Sequence, residues 1–391
     1  MPIKIGTSGI AGAYVGADPI SRIYVGADMA FDVAGGIPQN PDGAWLVPSE
    51  GGPVACHEVL ESVFNTAASA LGISEAVQTI AWNEALLGGD RLFIPQSLAT
   101  SVVSGVARCE LGMDPAASIN FNNSLAACEA MGTGWALMTN AQHFVLAVIS
   151  QAHWNAQSGT PEPRGNTEHG RSHDTTSQVG IRSDGLAVTG LNQGTQGRTL
   201  TSLRAIADGG GQLLAWSHDG SPNGVFDLVG NVWEWRGRMR VNEGRIEVIP
   251  ASAGIQPDQG ASSTAWRAIR PDGTLVANDA GGDMLHYDAT TSSIFIATSR
   301  GTSNSANSLF VTIGAGAIDP VPPVLVAHML YPWSDAVPTV GRLYVNTAGE
   351  RLPNRGGQWD SGSNAGVAAV SLFRGRSSST SSIGFRPSYV L

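Results

Sequence analysis

The chain has 391 residues, room for roughly two or three domains, and carries 22 Lys+Arg against 32 Asp+Glu for a formal charge of −10. Only 14% of residues are charged and no run of lysine or arginine occurs, which argues against a nucleic-acid partner. Cys56, Cys109 and Cys128 are an odd set without metal-ligand spacing, so buried free thiols are expected rather than a disulfide scaffold. The first residues, MPIKIGTSGIAG, lack a basic segment followed by an apolar one, and no apolar run is long enough to span a bilayer. Neither a cleaved secretory signal nor membrane insertion is therefore expected.

Residues 1–33 contain a tandem repeat, Tyr14-Val15-Gly16-Ala17-Asp18 and Tyr24-Val25-Gly26-Ala27-Asp28. Each copy reads as a short strand ending at a glycine turn. So little apolar surface calls for a partner, either further copies of the chain or a larger assembly. The repeat resembles N-terminal attachment segments of phage tail proteins.

Residues 34–113 read as a helical spacer or collar. A turn-rich linker runs from Gly35 to Pro53. Helical spacing follows over His57–Leu71 and Ser74–Leu87, and Arg91–Pro95 reads as a strand. No constellation of catalytic type appears here.

From residue 114 the pattern is more specific. Asn120 offers an N-cap to a helix that Gly132 stops, and Trp135–Met138 reads as a buried strand. Thr139 and Gln142 have capping-box spacing and open a second helix reaching about Trp154. His143 lies inside that helix, where a structural role is the commoner one. The polar stretch 155–220 gathers His169, His173, Asp174 and, later, His218 and Asp219. Their spacing matches no metal motif, so loop-fixing hydrogen bonds are expected.

Asn223–Trp235, NGVFDLVGNVWEW, is the strongest motif. Val225, Leu228 and Val232 supply core, and glycines permit turns. Trp233 and Trp235 share one strand face, with Glu234 on the other. Strand-like pieces follow at Val241–Pro250 (turning at Glu243-Gly244), Ser263–Ile269, Thr274–Val276 and Leu343–Asn346. The C-terminal stretch pairs two fixed-looking ends, Arg351–Gly357 (RLPNRGG) and Ile383–Pro387 (IGFRP), with a permissive interior ending in the hydroxylated run Ser377–Ser382.

The helix–strand–helix opening and the GNVWEW segment resemble the formylglycine-generating-enzyme branch of the C-type lectin fold. That resemblance implies an α+β domain over 114–391, with two helices, twisted antiparallel sheets and many loops. In the enzymes this region helps bind calcium. Asn231 and Glu234 are the matching positions, with hydrogen bonding of loops over the core as the alternative. Calcium is the one cofactor implied. Those enzymes use cysteines near the C-terminus, and this chain has none after Cys128, so the oxidase activity is not expected.

The ordered set GNVWEW, β-rich insert, GERLPNRGGQW and terminal IGFRP resembles more closely the variable proteins of diversity-generating retroelements. In these a lectin-type scaffold displays a surface hypermutated at template adenines, often in AAC codons. The resemblance implies a variable patch within 357–382. Asp360, Ser361, Ser371, Phe373, Arg374, Ser378, Thr380 and Ser382 are all residue types reachable from AAC through its first two bases. Gln358 is not, and is the weaker member. Phe373, Arg374 and Arg376 would be anchors among adaptable hydroxyls, with Trp359 packed beneath.

The expected function is that of a virion receptor-binding protein, an adhesin of a phage tail fibre or tail tip and not an enzyme. It would join tail proteins through its N-terminus, assemble as a homotrimer and meet a host cell-surface receptor, protein or glycan. The alternative is a bacterial cell-surface display protein diversified in the same way.

Overall fold

The computed structural model describes residues 37–40, 43–158, 217–290, 293–301, 303–333 and 341–391, with short stretches between 14 and 32 and between 179 and 213. The protein is α+β, mostly sheet, with five α-helices among the described residues. In the N-terminal repeat, Tyr14–Val15 pairs with Asp18–Pro19 and Arg22–Tyr24 with Ala30–Asp32. The candidate residues His169, His173 and Asp174 lie outside the described residues.

Local signals account for the helix starts. Helix α1 is Glu61–Ala70 and α2 is Glu75–Leu86, where Ser74 caps by accepting from the Val77 N–H. Helix α3, Phe121–Glu129, is capped by Asn120 Oδ1, which accepts from the Asn123 N–H at 2.9 Å. Helix α4, Asn140–Ser158, opens on a reciprocal capping box. The Gln142 N–H donates to Thr139 Oγ1 at 3.1 Å, and the Thr139 N–H donates to Gln142 Oε1 at 2.9 Å. Helix α5, Pro323–Ala327, begins on a proline.

His57–Val59, read from its spacing as the start of a helix, belongs instead to the strand Val54–Val59. Pairing with Leu92–Pro95 wins there over the helical period of Val59, Val63 and Phe64. This strand is part of a five-stranded antiparallel sheet. Its order is Trp135–Leu137, Pro387–Val390, Leu92–Pro95, Val54–Val59, Trp45–Val47. The boundary expected at 113/114 therefore falls inside a sheet, because the last strand of the chain inserts between Trp135–Leu137 and Leu92–Pro95. Residues on both sides of the boundary also share the two hydrophobic cores.

The larger sheet holds the C-terminal stretch. Its central path runs Met239–Asn242, Glu350–Arg355, Val370–Arg374, Arg342–Asn346, Ser305–Leu309. The strand Trp233–Trp235 pairs antiparallel with Glu350–Arg355 and parallel with Ile383–Phe385. Met239–Asn242 and Arg245–Val248 form the expected hairpin, and its turn residues Glu243 (φ 49°) and Gly244 (φ 82°) are both left-handed. One core lies between this sheet and helices α1, α2, α4 and α5. The other lies between α3, the five-stranded sheet, Trp235 and Phe385.

Candidate binding surface

The GNVWEW motif forms the floor of the site. Asn231 takes a left-handed backbone (φ 60°) that asparagine tolerates better than most residues, and its carbonyl accepts from the Trp359 N–H at 3.0 Å. Trp235 is buried, packs edge-on against Phe121 and donates from Nε1 to the Ile119 carbonyl. Glu234 is 1% exposed. Its carboxylate receives Arg236 at 2.8 Å and Arg386 at 3.1 Å.

That arrangement does not fit a calcium ion at Glu234. Both carboxylate oxygens already serve guanidinium groups, and two fixed cations beside the carboxylate would repel a third. The network continues outward through His143, whose Nδ1 accepts from Arg236 at 3.1 Å while its Nε2–H donates to the Val367 carbonyl at 2.7 Å. Burial first, then the neighbouring guanidiniums, hold His143 well below the usual histidine range. It is a neutral core histidine, as expected.

The two ends of the C-terminal stretch are locked in by side chains. Arg355 is fully buried and donates to Asn140 Oδ1 and to the carbonyls of Ala368 and Met329. Arg386, also fully buried, donates to the carbonyls of Pro95, Gln96 and Phe226 as well as to Glu234. Gly357 (φ 93°) sits where a Cβ would fall 2.5 Å from that of Ala365. Leu352–Gly357 and Ile383–Ser388 are buried throughout.

The interior is held differently. None of the nine candidate positions is buried: Asp360, Phe373 and Arg374 are exposed, and Gln358, Ser361, Ser371, Ser378, Thr380 and Ser382 are partly buried. Main-chain groups anchor the loop 375–382. Ser118 and Ile383 donate their N–H groups to the Thr380 carbonyl, Trp233 donates to the Ser382 carbonyl at 2.8 Å, and Ser378 donates to the Gly375 carbonyl. Backbone anchors of this kind survive a change of side chain. Among the serines Ser361 is distinct, because its Oγ accepts from the Gln358 N–H at 3.0 Å and helps close the 358–361 turn.

Strand alternation defines the face. Ser371 and Phe373 point outward from Val370–Arg374, while Val370 and Leu372 point into the core. Next to them Arg342, Tyr344 and Asn346 face out while Leu343 and Val345 face in. On Ser305–Leu309 the outward residues are Ser305, Asn307 and Leu309. Tyr344 stands opposite Ser371 in register and links two aromatics, with Phe373 at 6.3 Å and Trp233 at 6.3 Å, both edge-on. A row Trp233–Tyr344–Phe373 thus runs from the Ser382 end of the loop to the strand. Tyr344, Asn307 and Leu309 extend this face beyond the expected positions, and the alternation of Arg342–Asn346 is the sequence signal for Tyr344.

Arg376 is a correction. It was expected as an exposed anchor beside Phe373 and Arg374, yet it is bound to the scaffold. Its Nε and Nη2 donate to the two Glu350 oxygens at 2.9 and 2.7 Å, Nη1 reaches Asn122 Oδ1, and the guanidinium lies 5.2 Å over the Phe121 ring. Trp359 is partly buried, held through its main chain.

The three cysteines are free. Burial raises all three thiols, Cys109 to about 12, which disfavours thiolate chemistry. No described helix is long and apolar enough to cross a membrane. Comparison with protein-family models and with curated proteins finds no match to the chain.

Proposed function

We propose that this protein is a receptor-binding adhesin of a phage tail fibre or tail tip, presenting a retroelement-diversified surface on a C-type lectin scaffold. The observation that supports the reading most is the way residues 375–382 are held. Apart from Arg376, the loop is tied down chiefly by its own main chain, which leaves the side chains of Ser378, Thr380 and Ser382 room to differ. The expected variable positions are exposed or partly exposed, while Leu352–Gly357 and Ile383–Pro387 in the segments expected to be fixed are buried.

The chemistry of the face suits recognition. Phe373 and Tyr344 offer rigid aromatic area, Arg374 a guanidinium, and the hydroxyls adaptable hydrogen bonds. The virion setting and trimeric assembly come from the N-terminal resemblance, and display in several copies would raise avidity without new contacts.

The test is a graft. A second set of residues is placed at Asp360, Ser361, Ser371, Phe373, Arg374, Ser378, Thr380 and Ser382, and adsorption to bacterial cells is measured beside the melting temperature. A changed pattern of adsorbed strains with nearly unchanged melting supports the reading. Unfolding of the graft, or adsorption indifferent to it, overturns it. A template repeat of the 3′ coding end, differing at adenines and lying beside a reverse transcriptase gene, is the corresponding observation in the flanking DNA.

A further inference from the structure

We propose that His57, His218 and Asp219 form a binding site for a borderline transition-metal dication such as zinc or cobalt, distinct from the ligand-binding face. One ring nitrogen from each histidine and one carboxylate oxygen lie within 4.8 Å of one another. His218 Nδ1 is 3.6 Å from Asp219 Oδ1, near the roughly 3.3–3.6 Å between ligands on a tetrahedral ion with bonds of about 2.0–2.2 Å. His57 completes the group within the same 4.8 Å.

The protonation pattern shows why a cation belongs there. His57 Nδ1 donates to the Asn223 carbonyl at 3.2 Å, which leaves the lone pair on Nε2. A ring nitrogen oriented through a backbone carbonyl in this way is the usual second shell of a metal-binding histidine. His218 Nδ1 accepts from the Val225 N–H at 2.9 Å, so it too carries a lone pair. Asp219 Oδ1 only accepts, here from the N–H and Oγ of Ser221. Three acceptor atoms therefore gather in one place, two of them held by neighbouring donors that a cation would displace or share. The other nitrogen of His218, Nε2, is buried without a hydrogen-bond partner, so hydrogen bonding alone does not explain a histidine that is 2% exposed.

The local sequence makes room for the cluster. A Cβ at Gly224 would sit 2.2 Å from Asp219 Oδ1 and 3.1 Å from His218 Nδ1, so a side chain there would drive the two apart. Gly220 (φ 69°) lies against His153 Nε2, which places a third imidazole at the edge of the site. An ion taken up by His218 Nδ1 replaces the Val225 amide. Two imidazoles and one carboxylate select zinc-like ions over calcium or magnesium. The bound ion would pin the loop 217–226 to the strand Val54–Val59, just ahead of the GNVWEW segment.

The experiment uses the full chain, purified with chelator and dialysed, then titrated with cobalt(II) and with zinc(II). The expected result is one ion per chain, a visible cobalt absorption of the intense low-symmetry type that zinc abolishes, and a raised melting temperature. His57→Ala and Asp219→Asn should each weaken binding at least tenfold, whereas His286→Ala, remote from the cluster, should not. His57→Gln serves where the alanine variant fails to fold. A folded wild-type chain that takes up no stoichiometric cobalt or zinc overturns the proposal, as does binding that is unchanged in the His57 and Asp219 variants.

Discussion

Arg386 and Arg374 lie in the same C-terminal stretch, twelve residues apart by number, and belong to opposite regimes. Arg386 is fully buried and spends its guanidinium on three carbonyls and Glu234. Arg374 is exposed at the end of its strand. The first region is specified by side chains, so its residues cannot change independently. The second is specified by its backbone and by the strand beneath it, so its residues can. A surface that must vary without unfolding needs this separation.

The largest effect should come from breaking the buried network. Glu234→Ala leaves Arg236 and Arg386 buried without their shared carboxylate, and a loss of about 3–5 kcal/mol is expected for an uncompensated buried charge. Urea unfolding would measure it. A loss below about 1 kcal/mol would mean that the carbonyl partners suffice and that this region is not side-chain-specified.

Acid should act on the same region. His143 is neutral when folded, held well below its ordinary value first by burial and then by Arg236 and Arg355. Below the unfolded value of about 6.5 the unfolded chain binds the proton first. The stability is thus fully present above that pH and is lost as pH falls toward the folded value, at up to ~1.4 kcal/mol per pH unit for such a group. His328, also buried and shifted downward by burial first, adds in the same direction. The urea midpoint should fall between pH 7 and pH 5, and less steeply in His143→Gln. A midpoint flat over that range contradicts this account.

Much of this scaffold was legible because its signals are local. The Thr139–Gln142 box, the Asn120 cap and the Glu243-Gly244 turn act within three or four residues of themselves, and all appear as read. The failures are long-range. His57–Val59 carries a helical period but is claimed by a strand more than thirty residues further on. That the strands Trp45–Val47, Val54–Val59 and Leu92–Pro95 share a sheet with Trp135–Leu137 depends on the last residues of the chain. Arg374 and Arg376 look alike in sequence, and what separates them is distant: Glu350, 26 residues before Arg376, with Asn122 and Phe121 further still. His57 and the His218-Asp219 pair come together only through the fold.

Arg376 sharpens the comparison from inside the stretch proposed to vary. Its paired contacts to Glu350 pull that carboxyl below its ordinary value although burial pushes the other way. Arg376→Ala should cost about 1–2 kcal/mol, since charge-assisted hydrogen bonds and the stacking on Phe121 are lost together. Arg374→Ala should cost less than about 0.5 kcal/mol. Equal losses, read from paired urea curves, would erase the distinction drawn between them.

The smallest stability effects belong to the hydroxyls. Ser378→Asn and Ser382→Asn should each stay within about 0.5 kcal/mol of the parent, because the main chain holds this loop. Ser382 also shares a hydroxyl contact with Thr380 at 3.1 Å, a part-buried pair whose loss a polar replacement can offset. Ser361→Ala should cost somewhat more, near 1 kcal/mol, since its Oγ closes the 358–361 turn. Thermal melts of the three variants should therefore rank Ser361 apart from Ser378 and Ser382. If Ser378 or Ser382 melts as low as Ser361, the loop depends on its side chains after all, and the physical basis for a freely variable surface at that position is gone.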